Sequence, residues 1–81
     1  MRTEGTKGLE ARIGARVGIW RRRRSLTMLQ LARLAAVHRN TIARVEDGGG
    51  CSAAALLKIA KALQVEIGEL IPKAQDIVRK P

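Results

Sequence analysis

The chain has 81 residues, 46% of them hydrophobic with Trp20 the lone aromatic, and 16 Lys and Arg stand against 7 Asp and Glu, a formal charge of +9. That length holds one compact domain with a small core, burying about 60–65% of its unfolded surface, and a mix led by Ala, Leu, Ile and Val favours helices over sheets. The charge points to a polyanionic partner, nucleic acid ahead of an anionic membrane surface, while one Cys and one His exclude an intrachain disulfide framework and a structural zinc site.

Residues 1–8 (MRTEGTKG) are polar, hold two Gly and show no apolar period, so a flexible arm is expected there. No stretch approaches the roughly 20 apolar residues that span a bilayer, and Met1 to Arg12 lacks the apolar core of a signal peptide. A cytoplasmic protein without membrane contact is expected. From Leu9 the apolar residues Leu9, Ile13, Val17 and Trp20 form one helical stripe, which predicts a first helix to about Arg24 with Trp20 in the core. Gly14 and Gly18 weaken it and would also permit close helix packing. The run Arg21–Arg24 suits the helix dipole and offers solvated or phosphate-facing charge.

Ser25 ends that helix, and Thr27 is placed to cap a second one containing Leu31, Ala32 and Leu34. The tight connection "AAV" (Ala35 to Val37) leads to a third helix that starts at or beside His38, carries Ile42 and Val45, and stops at Gly48–Gly50. Ser52 caps a fourth, whose stripe of Leu56, Ile59, Ala60 and Leu63 leaves Lys58 and Lys61 outside. Val65 to Ile71 makes a last turn or two before Pro72. In the tail, residues 72–81, Ile77 and Val78 sit among charges, disordered or as a partner contact. The pattern is all-α: an arm at 1–8, one domain at 9–71, a tail at 72–81.

The third helix carries the chemistry. At 100° per residue Ile42 and Val45 lie about 60° apart, while Arg39, Ala43, Asn40 and Arg44 fill a contiguous arc of about 140° on the other side. Arg forks onto the O6 and N7 acceptors of guanine, Asn pairs with the N6 and N7 edge of adenine, and the Ala methyl can lie against thymine. The arc is a plausible major-groove reading set; the plainer reading is a solvated helix face.

The context separates the two readings. A helix, a three-residue turn and this helix have the spacing that lets the first brace the second across a groove. From Ile13 to Ile71 the chain resembles the Cro and phage-repressor type of helix-turn-helix domain, often called the XRE family. The residues that carry the resemblance are Leu26 and Thr27, Leu31 and Ala32, Val37, Ile42, Glu46, Gly48, and "LLKIAKAL" from Leu56 to Leu63. It implies a compact five-helix lambda-repressor-like fold, base reading by Arg39, Asn40 and Arg44, and an ion pair of Arg21 with Glu46. Two positions depart from it. Ala36 replaces the usual turn Gly, so the turn either holds a left-handed Ala or changes shape, at roughly 1 kcal/mol. Met28 replaces a Gln that holds phosphate or base, with Thr27 and Gln30 as partial substitutes.

Further phosphate contacts are expected from His38, which otherwise caps the recognition helix, from Thr41, and from the backbone N–H groups of Gly48 and Gly49. The glycine run follows a helix and lacks a Lys-Ser or Lys-Thr pair, so it is not a nucleotide-phosphate loop. Cys51 and His38 have no evident orienting third group, so no catalytic residue, enzyme activity, cofactor or metal is expected, and Cys51 packs as a small apolar residue.

The expected function is a sequence-specific DNA-binding transcriptional regulator, a repressor, working as a homodimer on an inverted repeat of double-stranded DNA, with Leu70, Ile71, Ile77 and Val78 as candidate dimer contacts. One alternative is an antitoxin or restriction-system controller that holds a protein partner through its tails and autoregulates. Another is a basic module that binds nucleic acid without sequence preference.

Overall fold

The computed structural model describes the backbone of residues 4–73, with side chains from Gly8 onward. Four α-helices follow in order: α1 (Glu4–Arg23), α2 (Met28–Ala35), α3 (Arg39–Glu46) and α4 (Ala53–Leu63), then a 3-10 turn at Ile67–Glu69. No strand occurs among the described residues. Helix α1 packs on α3, and α2 packs on both α3 and α4.

The core draws Val17 from α1, Leu31, Ala32 and Ala35 from α2, Ile42 and Val45 from α3, and Leu56, Ile59, Ala60 and Leu63 from α4. Leu70 closes it from below the 3-10 turn and is fully buried. Leu70 is therefore a core residue and not the dimer contact expected from sequence. Leu34 lies within α2 as expected but is 61% exposed. It sits about 110° around α2 from the midpoint of the face that Leu31, Ala32 and Ala35 share, so the core cannot reach it.

Two element boundaries differ from the sequence reading. Helix α1 begins at Glu4 rather than Leu9, so residues 4–8 of the expected arm are helical. Once a helix is nucleated, each added residue gains a hydrogen bond, and Gly5 and Gly8 weaken that extension without forbidding it. The expected fifth helix is a 3-10 turn, tied by the Glu69 N–H to the Glu66 carbonyl at 2.8 Å and the Leu70 N–H to the Ile67 carbonyl at 3.0 Å. Gly68 disfavours α-helix there, and a following Pro72 disfavours the α region for Ile71. Residues 1–3 and most of the expected tail, including Ile77 and Val78, lie outside the described residues.

Every α-helix ends with the same two crossing hydrogen bonds. In α1 the Ser25 and Leu26 N–H groups donate to the Arg22 and Arg21 carbonyls; in α2 Ala36 and Val37 donate to Arg33 and Ala32. In α3 Gly48 and Gly49 donate to Val45 and Arg44, and in α4 Gln64 and Val65 donate to Lys61 and Ala60. This closure satisfies orphan carbonyls and needs a left-handed residue. The four such residues are Ser25 (φ 58°), Ala36 (φ 58°), Gly48 (φ 91°) and Gln64 (φ 61°). The turn between α2 and α3 thus keeps its shape by holding Ala36 left-handed.

Candidate nucleic-acid interface

Helix α3 is set by its two ends. At its start the His38 Nδ1 accepts from the Asn40 N–H at 3.0 Å, and the His38 carbonyl accepts from the Thr41 N–H at 2.9 Å. An accepting Nδ1 carries no proton, so in the neutral ring the proton sits on Nε2 as a donor. His38 therefore caps the helix and keeps a second nitrogen suited to a phosphate oxygen.

At the other end Arg21 locks α3 to α1. Its Nε donates to Glu46 Oε2 at 2.6 Å and its Nη2 to Glu46 Oε1 at 3.0 Å, a two-pronged pair with the side chains 13% and 9% exposed. The third nitrogen, Nη1, donates to the Leu26 carbonyl at 2.8 Å, which ties the pair to the chain entering α2. The hydrogen bond to Glu46 raises the Arg21 pKa further above neutrality, against the opposing pull of burial.

Close approach of α1 and α3 depends on Gly14. A Cβ there would fall far inside contact distance of the Val45 carbonyl oxygen, and backbone cannot swing aside. The second glycine, Gly18, lies where a Cβ would be 3.4 Å from Glu46 Oε1. Gly14 thus faces α3 directly, and Gly18 lies between the Arg22 side chain and the Glu46 carboxylate at the end of α3.

With Ile42 and Val45 buried, Arg39, Asn40 and Arg44 are exposed and Ala43 is half-buried beside them. The four lie on one arc of α3 outside the packed face. Thr41 is half-buried at the edge of that arc. Thr27 and Gln30 form a reciprocal cap of α2: Gln30 N–H donates to Thr27 Oγ1 at 3.0 Å, and Thr27 N–H donates to Gln30 Oε1 at 2.8 Å. Both are exposed, and the carboxamide that accepts at Oε1 keeps its N–H donors for a phosphate.

Gly48 and Gly49 do not fit the role expected of them. Their N–H groups donate to the Val45 and Arg44 carbonyls at 3.0 and 2.8 Å, so helix closure has already taken the donors that a phosphate would need.

The Arg21–Arg24 run is also more structural than the sequence implied. Arg24 Nε donates to the Leu63 carbonyl at 2.9 Å and Nη2 to the Gln64 carbonyl at 3.4 Å, capping the end of α4. Arg23 and Arg24 place their guanidinium carbons 5.0 and 5.2 Å from the Trp20 ring centroid. Trp20 is accordingly half-buried at the core's edge, with cations on its ring. The sequence held no signal for the Arg24 bonds, which join residues 39 and 40 positions apart.

Cys51 packs half-buried against the core, and burial pushes its thiol pKa up, offset in part by the Arg44 charge. Among the described residues no cluster of three His, Cys, Asp or Glu could hold a metal ion, and no helix is long and apolar enough to cross a membrane.

Comparison with known proteins agrees with this geometry. A family profile described as a helix-turn-helix domain matches residues 12–79. The chain is similar to the crystal structure of the restriction-modification controller protein C.AhdI from Aeromonas hydrophila. The two share 32% sequence identity and a TM-score of 0.73, over 76% of this chain and 96% of that one. No curated protein sequence matches the chain.

Proposed function

We propose, from the premise that the chain belongs to the helix-turn-helix domain family and is a DNA-binding transcriptional regulator, that it reads a specific site by seating α3 in the major groove. Arg39 and Arg44 fork onto guanine, Asn40 pairs with adenine, and the Ala43 methyl meets thymine. Thr27, Gln30, His38 and Thr41 hold the flanking phosphates and set the register. The observation that carries this reading is the division of α3: Ile42 and Val45 are buried while Arg39, Asn40 and Arg44 are exposed on a helix capped by His38.

The protein works as a cytoplasmic homodimer that represses from an inverted repeat. One module of this size contacts too little DNA for high specificity, and two recognition helices one DNA turn apart supply the rest. The similarity to a restriction-modification controller favours a second reading, in which the regulated genes belong to a restriction system.

Selection of binding sites from random duplexes, followed by footprinting, tests the proposal. A two-fold symmetric footprint with half-sites about 10 base pairs apart is expected. Failure to enrich any sequence would leave only non-specific binding, and an asymmetric single half-site would remove the homodimer.

A further inference from the structure

The four helix closures share one geometry but not one composition. In this closure the residue after the left-handed position packs back against the residue five before it. In α1, α2 and α4 that following residue is Leu26, Val37 or Val65, each half-buried against the core. In α3 it is Gly49, and the residue five before it is Arg44.

Gly49 does not need to be glycine for its backbone, since its φ lies outside the left-handed range. Space is what it supplies. A Cβ at Gly49 would lie 2.6 Å from Arg44 Cγ, 3.3 Å from Arg44 Cδ and 3.1 Å from the Arg44 carbonyl oxygen. Cγ is near the root of the side chain and cannot yield without changing how the whole stem leaves α3. The Arg44 stem thus lies against Gly49, and its charge lowers the thiol pKa of Cys51, two residues further on, against the effect of burial.

We propose that Gly49 is a specificity-determining position: lacking a side chain, it gives the Arg44 stem a bed along the loop and so fixes the angle at which the guanidinium enters the groove. The inference rests on Arg44 as a base reader and adds a residue that touches no DNA. It makes Gly49 a positioning residue, and it explains why the closure of α3 alone lacks an apolar residue at this place.

The test is a cycle of Gly49→Ala, Arg44→Ala and the double variant, measured on the selected duplex and on duplexes altered one base pair at a time. Gly50→Ala serves as control, because its Cβ would meet Glu10 Oε2, the far end of a flexible side chain. The parent is expected to discriminate about 5- to 150-fold at the base pair facing Arg44, the range of one good bidentate contact. Gly49→Ala should lose that discrimination while keeping the preferences at the Arg39 and Asn40 base pairs and the slope of affinity against salt. In the Arg44→Ala background, Gly49→Ala should change nothing further.

Retention of full discrimination by folded Gly49→Ala overturns the proposal, as does an equal loss on every duplex. If Gly49→Ala does not fold, Arg44→Ala must restore folding in the double variant, and a double variant that stays unfolded overturns it too. Unchanged discrimination in Arg44→Ala alone would instead overturn the base-reading assignment, a distinct outcome.

Discussion

Arg21 and Glu46, 25 residues apart, meet through two hydrogen bonds of 2.6 and 3.0 Å, and that pair joins the end of α1 to the end of α3. A pair this poorly exposed has lost much hydration, so its net stabilisation is small while the penalty for leaving one partner alone is large. Its function is registry: it fixes where α3 lies relative to α1 and to the chain entering α2.

Glu46→Ala should lower stability by about 3 kcal/mol, because it strands the Arg21 guanidinium at low exposure. Replacing both partners, Arg21→Met with Glu46→Leu, should recover most of that loss. Urea unfolding of the three variants measures it. Parental stability in Glu46→Ala would mean that the pair holds nothing.

Two glycines of α1, Gly8 and Gly14, should respond oppositely to the same substitution. A Cβ on Gly8 would meet nothing within 4 Å, so Gly8→Ala should stabilise by about 0.5–1 kcal/mol through helix propensity. Gly14→Ala should instead cost about 2 kcal/mol by driving α1 off the Val45 carbonyl. Thermal unfolding of both variants decides; equal gains would show that α1 and α3 are not in close contact.

Ala36 and Gln64 occupy left-handed positions that glycine fills without strain. Ala36→Gly and Gln64→Gly should each raise stability by about 1 kcal/mol, less the extra freedom that glycine has in the unfolded chain. Destabilisation in a denaturant titration would contradict this.

These left-handed positions show where the sequence was legible and where it was not. Helix starts were readable because Thr27 and Ser52 cap through their own side chains, a local rule. Only the end of α3 carried a glycine signal, at Gly48; the ends at Ser25 and at the Ala35–Val37 connection were read without one, and nothing at Gln64 signalled its left-handed backbone. The arc of Arg39, Asn40, Ala43 and Arg44 followed from periodicity alone. The Arg24 bonds to the α4 carbonyls did not, because the partners are backbone atoms brought near by tertiary packing. Leu70 misled because Val65, Ile67, Leu70 and Ile71 span too few turns to show which of them face the core and which a partner. The arm misread at residues 4–8 reflects a helix extended by propagation rather than by an apolar stripe.

Burial raises the Cys51 pKa, so its thiol should react slowly with iodoacetamide at pH 8, and the rate should still be climbing beyond pH 9. A raised thiol pKa also fixes the sign of the linkage. The unfolded chain ionises first as pH rises, so stability is full below the unfolded pKa and declines on the way up to the folded one. A plateau in the alkylation rate below pH 8 would refute the shift.

The most direct test pairs protein variants with base-pair variants. Equilibrium binding is measured for the parent, Arg39→Ala, Asn40→Ala and Arg44→Ala on the selected site and on each single base-pair change. Each variant is expected to lose about 1–3 kcal/mol on the selected site and to become indifferent at one base pair, with the others still discriminated. Uniform weakening on every duplex, with scrambled DNA competing as well as the selected site, would contradict it.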